Sequence, residues 1–495
     1  MTTTTLTIAT TPEQVDAAAQ EAHRAFLLVA GEEPAARAGR LHAIADALRN
    51  NAEELVRLGT EETHLAEARL QGELRRSAFQ LDLFADEVRS GVALDATLDH
   101  ADPDWGMGAR PDIRRVNVPL GVVGVFGASN FPFAFSVMGG DSTSALAAGC
   151  AVLHKIHPGH QRLALRTAEI VVEALQALGA PEGLFAVVDG RGAAEALVDH
   201  PLVRAIGFTG STAGGRALFN RAAARPVPIP FYGELGSINP VFVLPTAWQN
   251  RSEDILTGYA GSFTLGMGQF CTKPGVLFVP DTATDDDLRS PLTAALEQSP
   301  LDRLLTPGLR EGFGEARDKV ASSDGVRTLV AGSDDEVPAP TVLSVDADTL
   351  SRNPEVLHQE MFGPATVVVR YGDASDLPRL AAMMEGQLTA TIHADDGDNA
   401  TELLDTLTGL AGRVLWNGWP TGVTVSYAQQ HGGPYPATTA PGTTSVGTAA
   451  IGRFLRPVAY QDVPDAALPP ALREANPWGI PRRVDGRFEP AGGAQ

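Results

Sequence analysis

Val122-Val123-Gly124-Val125-Phe126, Ala151-Val152-Leu153-His154, Phe185-Ala186-Val187-Val188 and Ala205-Ile206-Gly207-Phe208-Thr209 are four short β-rich runs within residues 122–209. Between the second and third, Leu163 to Leu178 carries a helical pattern. Strand alternating with helix at this spacing predicts a parallel, doubly wound α/β sheet. Upstream, Thr11-Pro12-Glu13-Gln14 opens a helix, with Thr11 as N-cap, Pro12 at the first helical position and Gln14 closing a capping box. Leu41, Ile44, Ala45 and Leu48 form one apolar stripe of a further helix. Beyond Asn239, strands near Val241 to Leu244, Val276 to Val279, Thr366 to Arg370, Leu388 to Ile392 and Arg413 to Trp416 predict a second α/β domain, with helices such as Asp287 to Gln298 between them. Ala437 to Ser445 and the Pro/Gly-rich end from Pro469 read as loops.

A length of 495 residues accommodates two or three domains at roughly 100 to 200 residues each. Asp and Glu (60) outnumber Lys and Arg (38), a formal charge of -22, so the surface should repel nucleic acid. No run approaches the ~18 apolar residues of a membrane span. Met1 to Ile8 is Thr-rich, without the basic and apolar regions of a targeting signal. A soluble, cytoplasmic protein is expected. Cys150 and Cys271 are its only cysteines, as suits a reducing compartment.

The chain contains no Gly-x-Gly-x-x-Gly fingerprint, Walker A loop or Gly-x-Ser-x-Gly elbow. His154, His157 and His160 recur every third residue, but Pro158 and Gly159 break the helix that would aim three imidazoles together, so no metal site is expected there. Cys150 follows Ala147-Ala148-Gly149 into an apolar run and reads as structural. Cys271 sits in Gly266-Met267-Gly268-Gln269-Phe270-Cys271-Thr272, where small residues let a ligand approach the sulfur. Glu234 lies between Gly233 and Leu235-Gly236, where burial could raise its pKa and fit it to be a general base. In Phe208-Thr209-Gly210-Ser211-Thr212, a strand turns into a helix whose free N–H groups suit a pyrophosphate.

With Gly127-Ala128-Ser129-Asn130-Phe131-Pro132 and Glu360-Met361-Phe362-Gly363-Pro364, these segments resemble the aldehyde dehydrogenase superfamily from about Arg114 to about Arg456. The resemblance implies a Rossmann-type dinucleotide-binding domain over residues 1–236, a catalytic domain over 237–436, and a terminal part, 437–495, that returns to the cofactor domain. Residues 110–119 and the segment around Phe454 to Tyr460 would form a β-extension joining a homodimer or homotetramer. The resemblance further makes Cys271 the nucleophile, Asn130 the oxyanion donor and Glu234 the base that activates water. It assigns Lys155 to the adenosine ribose, Gly210 and Ser211 to the pyrophosphate, and Glu360 with Phe362 to the nicotinamide ribose. Because members that pass the acyl group to coenzyme A generally lack Glu234, the expected product is a free acid.

Gly139-Gly140-Asp141, His157-Pro158-Gly159-His160, Asn417 to Gly422 and His431 to Pro436 look like the branch of 2-oxoglutarate semialdehyde and NADP-dependent fatty aldehyde dehydrogenases. Pro158 stands where strict NAD enzymes of the family often carry a Glu. Lys155, His157, His160 and Arg162 surround it, so NADP is expected, with NAD possible. The expected substrate is 2-oxoglutarate semialdehyde, the alternatives being a medium or long-chain aldehyde or a catalytically silent binding scaffold. Phe131, Phe133, Phe135, Phe270 and Trp419 are candidates for an apolar tunnel, with His431 near its entrance. Arg453 and Arg456 are the nearest candidates for a carboxylate tail.

Overall fold

The computed structural model describes residues 8–492, so the Thr-rich start, apart from Ile8, lies outside the described residues. Its first sheet has six parallel strands in the order Ile8–Ala9, Phe185–Val188, Ala151–Lys155, Val122–Phe126, Val203–Thr209 and Phe231–Glu234. From Val122–Phe126 the chain winds outward through the strands at 151 and 185, then returns to 203 and 231 on the other side. The winding therefore reverses beside Phe126, and the carboxyl ends of the strands there open a crevice suited to a ligand.

The second sheet has seven strands, Arg327–Val330, Thr341–Asp346, Ala365–Tyr371, Val276–Pro280, Val241–Val243, Gln387–His393 and Ala411–Trp416, parallel except for the first pair. Val276–Pro280 is buried along its whole length, as expected of a central strand with helices on both faces. In the third sheet, Leu455–Gln461 runs antiparallel to Ile113–Pro119 and leaves its own outer edge unpaired among the described residues. Two short strands, Arg482–Val484 and Arg487–Glu489, complete this sheet within the terminal segment expected to be loop. Asp485 and Gly486, at φ 45° and 79°, supply the tight turn between them.

Helix Pro12–Val29 begins with the anticipated capping box: Thr11 Oγ1 accepts from Gln14 N, and Gln14 Oε1 accepts from Thr11 N. Leu41, Ile44, Ala45 and Leu48 are buried on helix Pro34–Asn50, which lies against helix Glu67–Ser90. No described helix is long and apolar enough to cross a membrane.

Candidate active site

At the carboxyl end of the first sheet, Phe126, Lys155, Thr209 and Glu234 face Cys271 and Glu360 across a cavity of about 550 Å³. Asn130, His157, Pro158, Gly210, Ser211 and Phe362 line the same cavity, so the ten residues that the resemblance assigned to catalysis and to the cofactor lie at one place.

Backbone geometry sets the position of Cys271. Helix Pro245–Thr264 ends in a tight turn in which Gly266, Met267 and Gly268 take φ of 57°, 60° and 67°. A side chain at Gly268 would collide with the Gly363 carbonyl, so glycine is what lets the loop close against the 360s. Asn130 Nδ2 donates to the Gln269 carbonyl at 2.9 Å, and Asn239 Nδ2 donates to the carbonyls of Cys271 and Lys273 at 2.9 and 3.0 Å. Both sides of the Cys271 loop are thus tied down. Burial pushes the half-buried Cys271 thiol well above its usual range, and the negative charges of Glu234 and Glu360 push it further, with Arg413 opposing.

Glu234 is buried at the end of its strand, where Oε1 lies 2.8 Å from His431 Nε2 and Oε2 accepts from Ser445 Oγ at 2.7 Å. His431 Nε2 is also 3.5 Å from Cys271 Sγ. Burial alone would raise the Glu234 carboxyl, but His431, Ser445 and Cys271 outweigh it and hold the group below its ordinary value. Ligand atoms of Glu234, Cys271 and His431 lie within 4.8 Å of one another. A nucleophile, a carboxylate and an imidazole in mutual contact can move a proton without help from solvent.

The rest of the cavity offers donors. Ser211 caps helix Thr212–Ala223, its side chain accepting from Gly214 N at 3.2 Å and leaving the helix start facing the cavity. A Cβ on Gly236 would stand 2.6 Å from Glu360 Oε2 and 2.7 Å from Thr212 Oγ1, so glycine keeps that wall clear. Burial raises the Glu360 carboxyl while Lys273 draws it back; Lys273 Nζ is held by the carbonyls of Met361 and Ala365 at 2.7 and 2.8 Å. Lys155, His157, the Ser211 turn and Glu360 together suit a nicotinamide dinucleotide: a cation, a helix N-terminus for phosphates, and a carboxylate for ribose hydroxyls.

Several expectations fail on position. His431 is fully enclosed beside Glu234, not in an entrance loop; its signal in the sequence was a histidine running into Gly432-Gly433-Pro434, which brings the loop close to the strand ends. Trp419 packs against Tyr259 and His393 under the second sheet, and Phe133 belongs to the first core. Phe131, Phe135 and Phe270 do meet edge-on, at ring separations of 5.4 and 5.0 Å. Arg453 is buried against Asp141, and Arg456 is exposed, so neither faces the thiol. His160 turns inward to the Ala128 carbonyl and Arg162 outward to Glu61, which leaves Lys155 and His157 as the basic residues of that group in the cavity wall. Burial drives the His157 imidazole down to about 3, so it faces the cavity uncharged. Cys150 is buried at the end of helix Gly140–Ala148, its thiol pushed up to about 11, as a structural cysteine should be. Asn239 and Ser445 were not anticipated; in Ser237-Ile238-Asn239-Pro240 the Asn-Pro pair was the available signal of a turn, and the structure places this Asn at φ 57°.

Comparison with known proteins shows the family and the fold. The chain is 46% identical over 486 residues to alpha-ketoglutaric semialdehyde dehydrogenase 2 of Azospirillum brasilense, covering 96% of this chain and 92% of the relative. It is 42% identical over 482 residues to alpha-ketoglutaric semialdehyde dehydrogenase of Acinetobacter baylyi, covering 96% and 91%. A crystal structure of an E. coli NADP-dependent enzyme, 25% identical, superposes with a TM-score of 0.75 over 91% of this chain and 90% of that one. The aldehyde dehydrogenase family profile matches residues 2–435, and the chain belongs to the aldehyde dehydrogenase family.

Proposed function

We propose that the protein oxidises 2-oxoglutarate semialdehyde (2,5-dioxopentanoate) to 2-oxoglutarate, with NADP preferred and NAD tolerated, through a thioester on Cys271. The observation that carries this reading is the Cys271–His431–Glu234 cluster at the wall of a dinucleotide-sized cavity. The names of the two relatives support the choice of substrate. Cys271 Sγ attacks the aldehyde carbon as its proton passes to Glu234, which His431 and Ser445 hold in place. The oxyanion that forms is met by the Asn130 amide and the Cys271 backbone N–H, where one donor is worth about 2.7 to 4 kcal/mol. Lys155, the Ser211 turn and Glu360 would hold the nicotinamide nucleotide, which when bound would supply the hydride acceptor; loss of hydride from the Cys271 adduct then gives the thioester. Glu234, its proton lost to solvent, then deprotonates water; the water attacks the acyl carbon, the C–S bond breaks, and the acid departs. The division at residues 236 and 436, and a dimer or tetramer joined along Leu455–Gln461, belong to the same reading.

The preference for NADP rests on Lys155 and on Pro158 standing where a carboxylate would repel a 2'-phosphate. The Phe131–Phe135–Phe270 cluster favours a second reading, oxidation of straight-chain aldehydes. Absorbance of the reduced nicotinamide decides among these. The expected result is a kcat/KM for 2,5-dioxopentanoate above that for any straight-chain aldehyde, and for NADP at least equal to that for NAD. A tenfold preference for NAD overturns the cofactor assignment, and efficiency rising by ~0.8 kcal/mol per added methylene, with a poor oxo acid, installs the second reading. Sedimentation as a single 52.0 kDa chain removes the oligomer.

A further inference from the structure

Helix Glu67–Ser90 carries Arg69, Glu73 and Arg76 at i, i+4 and i+7, one face of the helix. In an isolated helix such a face would be solvated. Here it is pressed onto the segment that carries Asn130: Glu73 Oε1 accepts from the backbone N–H groups of Phe133 and Ala134 at 2.8 and 2.9 Å. The Arg69 guanidinium lies 5.2 Å from the Phe131 ring and 4.8 Å from that of Phe270, the residue before the nucleophile, and donates Nη2 to the Asn130 carbonyl at 2.6 Å. Arg76 lies 5.4 Å from the ring of Phe135, which itself neighbours His431, and donates Nε to the Val423 carbonyl at 3.3 Å.

The remaining guanidinium nitrogens are unspent. Arg69 Nη1 and both Nη atoms of Arg76 are buried and have no hydrogen-bond partner among the described residues. Arg413, from strand Ala411–Trp416, adds a third cation whose Nε is likewise unpaired. Glu73 is the one carboxylate on the helix face between the two arginines, and burial raises its pKa toward the uncharged form. Burial also lowers Arg69 and Arg76, which Glu73 beside them draws back up; Arg76 is drawn up further by Glu234 and by Cys271 when ionised, which marks its nearness to the reacting centre. Buried donors without acceptors are costly, and more so when charged. An incoming carboxylate would relieve that cost, and an Arg fork with both Nη atoms free accepts it in bidentate fashion.

We propose that Arg76, assisted by Arg69, is the specificity-determining site for the carboxylate of the substrate, so that the protein selects short oxo-acid aldehydes over uncharged ones. The assignment rests on the aldehyde oxidation proposed above and deepens it. A neutral alkyl aldehyde fills the aromatic wall of Phe131, Phe135 and Phe270 but leaves the fork unpaired, which is how a polar site rejects an analogue lacking its partner.

The test compares kcat/KM for 2,5-dioxopentanoate and pentanal in the unsubstituted protein and in Arg76→Met, Arg76→Lys and Arg69→Met. The ratio of oxo acid to pentanal should fall at least 100-fold in Arg76→Met, through KM for the oxo acid, with Arg76→Lys between it and the unsubstituted protein. A ratio within threefold of the starting value in both Met variants overturns the proposal. A second measurement needs no variant: 2-oxopentanoate and 2-pentanone, which differ by the carboxylate, are compared as competitors of pentanal oxidation. The oxo acid should inhibit at a concentration at least tenfold lower, and equal inhibition overturns the assignment even if a variant fails to fold. Absence of any aldehyde-dependent cofactor reduction in the unsubstituted protein is a different result, which overturns the underlying function instead.

Discussion

Cys271 and Glu234 share one proton economy, and their neighbours decide which of them is charged. The thiol is held up by burial and by the carboxylate beside it, whereas His431 and Ser445 hold the carboxylate down, so the resting pair is a neutral thiol next to an ionised Glu234. Glu234→Gln removes the negative neighbour and should lower the thiol pKa. At pH 8, below the ordinary thiol value of 9.0, each unit of lowering raises the thiolate fraction about tenfold. Alkylation of Cys271 by iodoacetamide at that pH should therefore be faster in Glu234→Gln, its pH profile moving to lower pH; a slower or unshifted reaction contradicts the charge assignment. Nearby glycines made both residues candidates in the sequence, but their roles came only from the family resemblance. Arg69 and Arg76 were not candidates, since arginines at helical spacing look the same whether solvated or buried; only aromatic rings brought from residues 131, 135 and 270 make them special.

Among the elements, the turn between strands Phe231–Glu234 and Val241–Val243 holds the Cys271 loop. Asn239 sits there at φ 57°, where Nδ2 donates to Cys271 O and Lys273 O, and Oδ1 accepts from Thr389 N and Oγ1 at 3.2 and 2.9 Å. Four hydrogen bonds, three of them fully buried, at about 1 kcal/mol each make Asn239→Ala costly by roughly 3 to 4 kcal/mol, and alanine in the left-handed region adds ~1 kcal/mol that glycine avoids. Thermal unfolding should accordingly rank the protein above Asn239→Gly and Asn239→Gly above Asn239→Ala, with kcat falling in both; Ala at or above Gly contradicts the backbone part of this account. Of the two strands that flank this turn, Val241–Val243 was readable as a short apolar run, its end moving by one residue, whereas no such run marks Phe231–Glu234. Arg327–Val330 was missed because Arg327 and Thr328 are exposed on a sheet edge, where no apolar pattern is required.

For the whole molecule, the decisive feature is the meeting of the first sheet's carboxyl ends with the loops of the second. Residues from 126 to 362 converge on one cavity, a convergence that spacing along the chain does not encode and that entered the sequence analysis only through family resemblance. Lys155, His157, Pro158, Gly210, Ser211, Glu360 and Phe362 line that cavity, whereas His160, Arg162, Trp419 and Arg453 turn away from it, because the direction of each depends on what it packs against. The central claim is that this junction runs covalent chemistry in two stages, acylation at Cys271 and release by Glu234. Stopped-flow absorbance of the reduced nicotinamide after mixing Glu234→Gln with aldehyde and cofactor tests it most directly. The account predicts one burst of no more than one reduced nicotinamide per Cys271, followed by near arrest, while Cys271→Ala gives no burst; continued steady-state turnover at the unsubstituted rate in either variant would contradict it.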